Sequence, residues 1–354
     1  MTRGAARFLL GLAVGGLLAY GWGRQRAASA RRRIANGRAR VLVVGSGALA
    51  RAYAVQCARA GLRVTLLDAA GCLPAEPWVP VSYREGPTSL RRSALVPVCH
   101  RLPPASDPDL VIVAALGDEL ASALRALAAL NDRVPLLLLA HASAPVAAAR
   151  AALGTRALLV GLPATAGYWD DGAVLAPPLW AGVLTLGETD GAATQRLHLA
   201  ASLLRRAGLR VRTVTDIAAQ LAYQDVELAA LSDVVRRHGS LRAALADPVA
   251  QADYHAALEN GYDRLEQGGT PVPRALRAAT AGGYWTLPLL RLALAVPGLA
   301  EAVSTGLEAH LLSAYVAGVA GEAGLRPAPT RAPADSVGGG LRPAPTPHTA
   351  GHDA

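Results

Sequence analysis

The sequence predicts an α/β fold in its first half and an all-α segment after it. Three observations carry this. Residues 41–50, VLVVGSGALA, run four apolar residues into a glycine turn and then into a helix-forming stretch. Two further apolar runs, DLVIVAA at 109–115 and VPLLLLA at 134–140, are each followed by a helical pattern. From Gln195 the character changes, and LHLAASLLRRAGLRV and DIAAQLAYQDVELAALSDVVRR read as long helices. Strands alternating with helices imply a parallel sheet covered on both faces.

Taken in order, residues 41–44 are a buried parallel strand, 48–60 a helix ended by Gly61, and Leu62–Asp68 a second strand. Residues 73–108 are Pro-rich and read as irregular, with short strands at Val79–Tyr83 and Leu95–Cys99. The strand 109–115 leads to a helix over 118–130, the strand 134–140 to a helix over 144–153, and then Ala157–Val160. A more open β region, punctuated by Gly and Pro, runs to about residue 187. The helical segment extends to about 323, with breaks near 269–273 and 282–288. Residues 326–354 are Pro, Gly, Ala and Thr with GLRPAPT twice, a composition that cannot bury a core, so a disordered tail is expected. The expected division is an arm at 1–40, a dinucleotide-type domain at 41–192, a helical domain at 193–325 and a tail at 326–354.

The turn at Gly45, Ser46, Gly47, Ala48, Leu49 and Ala50 has the pattern of a phosphate cradle. Gly45 allows the tight turn, Gly47 lets backbone approach a phosphate, and Ala50 is small enough for the helix to pack on the strand. The helix N-terminus supplies N–H groups and a favourable dipole. Asp68 ends the second strand, 21 residues after Gly47, where a carboxylate can bond a ribose 2′-hydroxyl. The combination predicts a Rossmann-type doubly wound sheet binding NAD(H) in preference to NADP(H), because Asp68 would repel a 2′-phosphate. A glycine turn with no nucleotide is the plainer alternative.

Charge narrows the function classes. The 354-residue chain carries +9, and all 35 basic residues are Arg. Nine of them lie in residues 1–40, which have no acid; the other 26 face 26 acids. The folded part therefore gives no reason to expect a nucleic-acid partner. With no lysine anywhere, no lysine can act as acid, base or Schiff-base former, and Arg does not give up its proton. Three cysteines, Cys57, Cys72 and Cys99, match no metal motif and read as reduced thiols.

Within the arm, Phe8–Gly23 is sixteen residues without a charge. As a helix it spans about 24 Å, short of the ~30 Å hydrocarbon core. Three readings stand. It is a membrane anchor with the arginine-rich flank, and hence the large domain, on the cytoplasmic side. It is a signal peptide ending at Ala28-Ser29-Ala30. Or the start codon is misplaced. Gly11 and Gly15 form a GxxxG pair, a hint of a homodimer.

The order of segments resembles the ketopantoate reductase (2-dehydropantoate 2-reductase) family over about residues 41–330. The matching marks are VLVVGSGALA, RAGLRVTLLD, DLVIVAA, LLLLAHA, LLVGLPATAGYWDDGAVLAP with TLGETDG, RRAGLRVRTVTDIAAQLAY and GLEAHLLSAYVAGVAGEAGLRPAP. The resemblance implies a Rossmann domain, a helical domain, and a 2-keto acid reduced by a nicotinamide in the cleft. It also implies site residues that this chain lacks. The catalytic lysine position is Gln224, the two substrate asparagines are Leu228 and Ser232, and the Asn-Gly pair is His141-Ala142. The lysine after the preceding strand is Leu116, and the basic residue for a 2′-phosphate is Ala69. The late glutamate is kept as Glu308.

Gln224 can hydrogen-bond but cannot deliver a proton to a developing alkoxide. The usual lysine mechanism is therefore not available. His141, after a buried strand at the carboxyl edge of the sheet, is the candidate acid or base, with Glu308 second. Gln224 and Ser232 are the candidate substrate contacts. Two functions follow: a divergent NAD(P)-dependent oxidoreductase of an unidentified keto or hydroxy compound, or an inactive dinucleotide-binding sensor or scaffold at the membrane. An interaction protein with an empty fold is a third.

Overall fold

The computed structural model describes residues 32–281, apart from 34–35, 37, 70, 77, 86–89, 104–105, 116, 155, 170–172, 177–181 and 240. The expected anchor at 8–23, Glu308, Leu116 and the tail lie outside the described residues.

Strand β1 (Arg40–Val44) leads to helix α1 (Ala48–Arg59) and strand β2 (Arg63–Leu67). A hairpin of β3 (Val79–Glu85) and β4 (Leu90–Val96) follows, then a short β5 (Val98–Cys99). The pattern resumes with β6 (Leu110–Val113), α2 (Gly117–Leu127), β7 (Leu136–Leu139), α3 (Ser143–Leu153) and β8 (Leu158–Leu162). Strands β9 (Ala166–Trp169), β10 (Ala173–Ala176) and β11 (Val183–Glu188) precede α4 (Gln195–Arg206) and β12 (Arg210–Thr213). Four helices end the described chain: α5 (Ile217–His238), α6 (Leu241–Ala246), α7 (Pro248–Gln267) and α8 (Arg274–Ala281).

Eight strands form the large sheet in the order β12-β11-β8-β7-β6-β1-β2-β5. All neighbours are parallel except β8 and β11. Side chains alternate between its faces, as pleating requires. Val41, Val43, Leu110, Ile112, Leu137 and Leu139 join the core under α1 and α4. Leu42, Val44, Val111, Val113, Leu136 and Leu138 join the core under α2, α3 and the start of α5. The sheet is thus doubly wound, and β1 and β6 flank the point where the winding reverses.

Two local expectations change. Within the Pro-rich stretch 73–108, strands β3 and β4 pair and join β10 and β9 in a second sheet, β4-β3-β10-β9. The hairpin forms because Val79, Val81, Tyr83 and Val96 share one face and bury against α1. The stretch RVRT, read as part of a helical run, is the edge strand β12 on β11. Thr213 and Val211 are β-branched, and a single strand partner suffices there.

The helical segment packs α5 against α7. Asp216 caps α5 by accepting from the Ala219 N–H at 2.8 Å, and Gly239 ends it in the left-handed region. Gly261 permits the close approach, since a Cβ there would lie 2.4 Å from Val226 Cγ1. Between the two helices the Tyr262 hydroxyl donates to Glu227 Oε1 at 3.3 Å. Among the described residues no helix is long and apolar enough to cross a membrane.

Burial raises the Glu227 carboxyl above its ordinary range, and the Tyr262 hydrogen bond only partly opposes this. A carboxyl raised in the fold contributes its stability in full below the unfolded value near pH 4.3 and loses it as pH rises through the folded value. E227Q should therefore raise Tm at pH 7, with the gain vanishing near pH 4. A gain that does not depend on pH in thermal melts would contradict this account.

Candidate functional site

The switch point puts the glycine turn at the carboxyl edge of the sheet. Val41 to Val44 are buried, and Gly45 follows with φ +134°. A Cβ on Gly45 would lie 2.3 Å from the Ala114 carbonyl oxygen, at the end of β6, and 3.1 Å from the Ala50 Cβ. The Gly45 N–H donates to the Leu67 carbonyl at 3.0 Å, and the Ala114 N–H to the Val44 carbonyl at 2.9 Å. The three central strands therefore hold the turn from both sides. Ala50, fully buried, keeps the helix down on the strand. Around Gly47, the N-cap of α1, the space is open: a Cβ there would meet nothing within 4 Å.

The first turn of α1 has neither a capping side chain nor an acid of its own. Instead, Glu119 of α2 reaches across. Its Oε1 accepts from the Ser46 N–H at 2.5 Å and from Ser46 Oγ at 2.6 Å. Arg51, one turn into α1, donates from Nε to the Ser46 carbonyl at 2.9 Å. Burial lowers the Arg51 pKa from its ordinary value and the nearby Asp68 opposes this. It remains a cation, as arginines do.

Asp68 stands beside the turn, where the sequence places it, and is fully buried. Its Oδ1 accepts from the Gly71 N–H at 3.0 Å and its Oδ2 from the Leu73 N–H at 2.6 Å. The carboxylate thus ties the chain at Gly71 and Leu73 back to the end of β2. Cys57, buried in α1, has its thiol pushed up to about 12 by burial, which makes it inert.

His141 follows β7 on the same edge of the sheet and is half-buried. The next residue, Ala142, is buried against Leu228 of α5, with Ala144, Leu231 and Val235 around them. The Ser143 N–H donates to both oxygens of Asp225, at 3.1 and 3.3 Å. Asp225 therefore caps α3 from α5 and ties the helical segment to the sheet edge. Gln224 and Ser232 are half-buried on α5, one turn to either side of Leu228. The fold thus brings the two residues after His141 to the part of α5 that carries Gln224. Leu228, where the resemblance expects an asparagine, makes an apolar contact with Ala142 instead. Among the described residues no group of His, Cys, Asp and Glu could hold a metal ion.

Glu119, Arg51 and Asp225 were not singled out from the sequence. Arg51 was legible, since it lies in the first turn of the helix that opens the cradle. Glu119 and Asp225 act across 73 and 82 residues, so only topology reveals them. A separate hollow of about 740 Å³, lined by Arg40, Leu62, Arg63, Trp78, Leu95 and Asp107 among others, lies at the start of β1 and β2. It is at the opposite edge of the sheet from the turn.

The sequence matches no family model, and no curated protein is similar to it in sequence. Solved structures are similar in fold. The 2-dehydropantoate 2-reductase from Methylococcus capsulatus is 17% identical, with a TM-score of 0.56 over 82% of this chain and 99% of that one. The dimeric ketopantoate reductase from Staphylococcus aureus is 12% identical, with a TM-score of 0.53 over 78% of this chain and 98% of that one. A D-mandelate dehydrogenase, solved with NADH and anilino(oxo)acetate, is 10% identical, with a TM-score of 0.57 over 78% of this chain and 98% of that one. The chain shares the fold of the ketopantoate reductases, with a Rossmann-type sheet followed by helices.

Two substitutions test this geometry. Gly45→Ala places a methyl group against the Ala114 carbonyl in a conformation L residues rarely adopt, and should cost about 2–4 kcal/mol in denaturant unfolding. Asp225→Ala removes the acceptor for the Ser143 N–H and should cost about 1–2 kcal/mol, with Asp225→Asn recovering much of it. Unchanged midpoints for Asp225→Ala would show that the link between α5 and α3 is not held by this carboxylate.

Proposed function

We propose that the chain binds a nicotinamide dinucleotide at Gly45–Ala50 and is an oxidoreductase that acts on a small keto or hydroxy compound. The observation that supports this most is the turn itself. Gly45 is required by the Ala114 carbonyl, and Gly47 opens onto free space at the start of α1. The backbone N–H groups of Ala48, Leu49 and Ala50 begin the helix and suit a pyrophosphate. The neighbours' chemistry, including the NADH held by the D-mandelate dehydrogenase, points the same way.

When bound, the cofactor would supply or accept the hydride. The protein's part is to hold it, orient a carbonyl and manage one proton. His141 is the residue we assign to the proton, because it sits at the carboxyl edge beside α5 and an imidazole can exchange a proton near neutral pH. Gln224 and Ser232 would orient the substrate by hydrogen bonds. The apolar pair Ala142 and Leu228 favours a substrate with an apolar group over a heavily hydroxylated one. Asp68 and the lack of a basic residue at Ala69 favour NAD(H) over NADP(H). A domain break near residue 193 and a homodimer like that of the Staphylococcus aureus reductase complete the proposal.

The same apolar contact favours a second reading, a dinucleotide-binding protein that has lost turnover. The two part experimentally. Calorimetry on the full chain should give micromolar binding of NADH and binding of NADPH weaker by about tenfold or more. Turnover with a panel of 2-keto acids and aldehydes, lost in H141A while NADH affinity stays, supports the enzyme. Binding without any turnover supports the second reading.

A further inference from the structure

We infer that Glu119 is a built-in competitor for the phosphate cradle, so that it sets the affinity of the site for its dinucleotide. The inference rests on the cofactor reading above and concerns the same turn. Glu119 Oε1 takes both the backbone N–H and the hydroxyl of Ser46, at 2.5 and 2.6 Å. These are donors at the very turn a pyrophosphate would approach. One carboxylate oxygen and one phosphate oxygen cannot hold the same two hydrogens, and two anions so close repel. The cradle therefore exists in two states, closed by Glu119 or open to phosphate.

The local structure allows the exchange. Glu119 is in the first turn of α2, and its side chain has three rotatable bonds. Gly117 starts α2 with φ +54°, and a Cβ there would meet nothing within 4 Å. The neighbouring charges work in opposite directions. Asp68 is near enough to act on Arg51 and adds negative charge. Arg51 is bound by its Nε to the Ser46 carbonyl and places a positive charge beside it. Apparent affinity is then the intrinsic affinity reduced by the fraction of molecules with the cradle open. Removing the carboxylate should release that fraction.

The test is a titration of the full chain with NADH, in the unsubstituted protein, in E119Q and in E119A, with inorganic pyrophosphate as a second probe. E119A should bind NADH about tenfold more tightly or better, and E119Q, which keeps an acceptor but not the charge, should fall between. Pyrophosphate should compete more effectively in both variants. E119Q is close to isosteric and guards against a folding defect in E119A. Binding that is equal within about twofold in all three, or weaker in the variants, overturns the competitor role while leaving the cofactor reading intact. No binding in any of the three at millimolar NADH overturns the cofactor reading and this inference with it. Binding only in the variants supports both.

Discussion

The contact between Gly45 and the Ala114 carbonyl is the constraint on which the site depends. Strands β1 and β6 are adjacent in the sheet but 69 residues apart in sequence between Val41 and Leu110, and pairing brings their ends together. At that point the chain must leave β1 and enter α1 without striking the neighbouring strand. Only a residue without a Cβ can do so at 2.3 Å from a carbonyl oxygen. Once the turn is fixed, the direction of α1 follows, and Ala50 must be small to let the helix lie down. The open space at Gly47 is a result of the same geometry.

The second organising contact is between α5 and the edge of the sheet. Asp225 draws the N-terminus of α3 toward α5, and Ala142 and Leu228 close the gap with carbon. A polar substrate pocket and an apolar seam are alternatives for the same space. Here the seam forms, with the half-buried Gln224 and Ser232 one turn to either side of Leu228. The chain shares the fold of the ketopantoate reductases and closes this seam with carbon.

Much of this fold was legible in the sequence because buried parallel strands are continuous apolar runs. Val41–Val44, Leu110–Val113 and Leu136–Leu139 are each buried on both faces, and each falls within an expected strand, 41–44, 109–115 and 134–140, read from its apolar run. The β3–β4 hairpin was read only in part. One of its faces packs on α1 while the other meets solvent, so SYRE and LRRSAL look like polar loop. Strand β12 was hidden by arginines, which also suit a helix. At the site, the glycine turn and Asp68 could be located by spacing, whereas what Asp68 bonds could not. Its carboxylate is committed to the Gly71 and Leu73 N–H groups, a local choice that no motif records. Glu119 was invisible for a different reason, since an acid at a helix start has an ordinary explanation in the helix dipole.

Helix α1 lies between two sheets, the large one and the β4-β3-β10-β9 sheet, with Ala52, Tyr53, Ala54, Val55 and Cys57 buried. That sleeve keeps water from most of its length. Aligned peptide dipoles in so dry a setting are screened less than on a surface helix, and their positive end emerges only at Gly47. The turn therefore acts as the aperture of a focused field. Any anion in reach is drawn to it, whether the cell supplies one or the chain does, and this is why such an aperture attracts a side chain of its own when none is offered from outside.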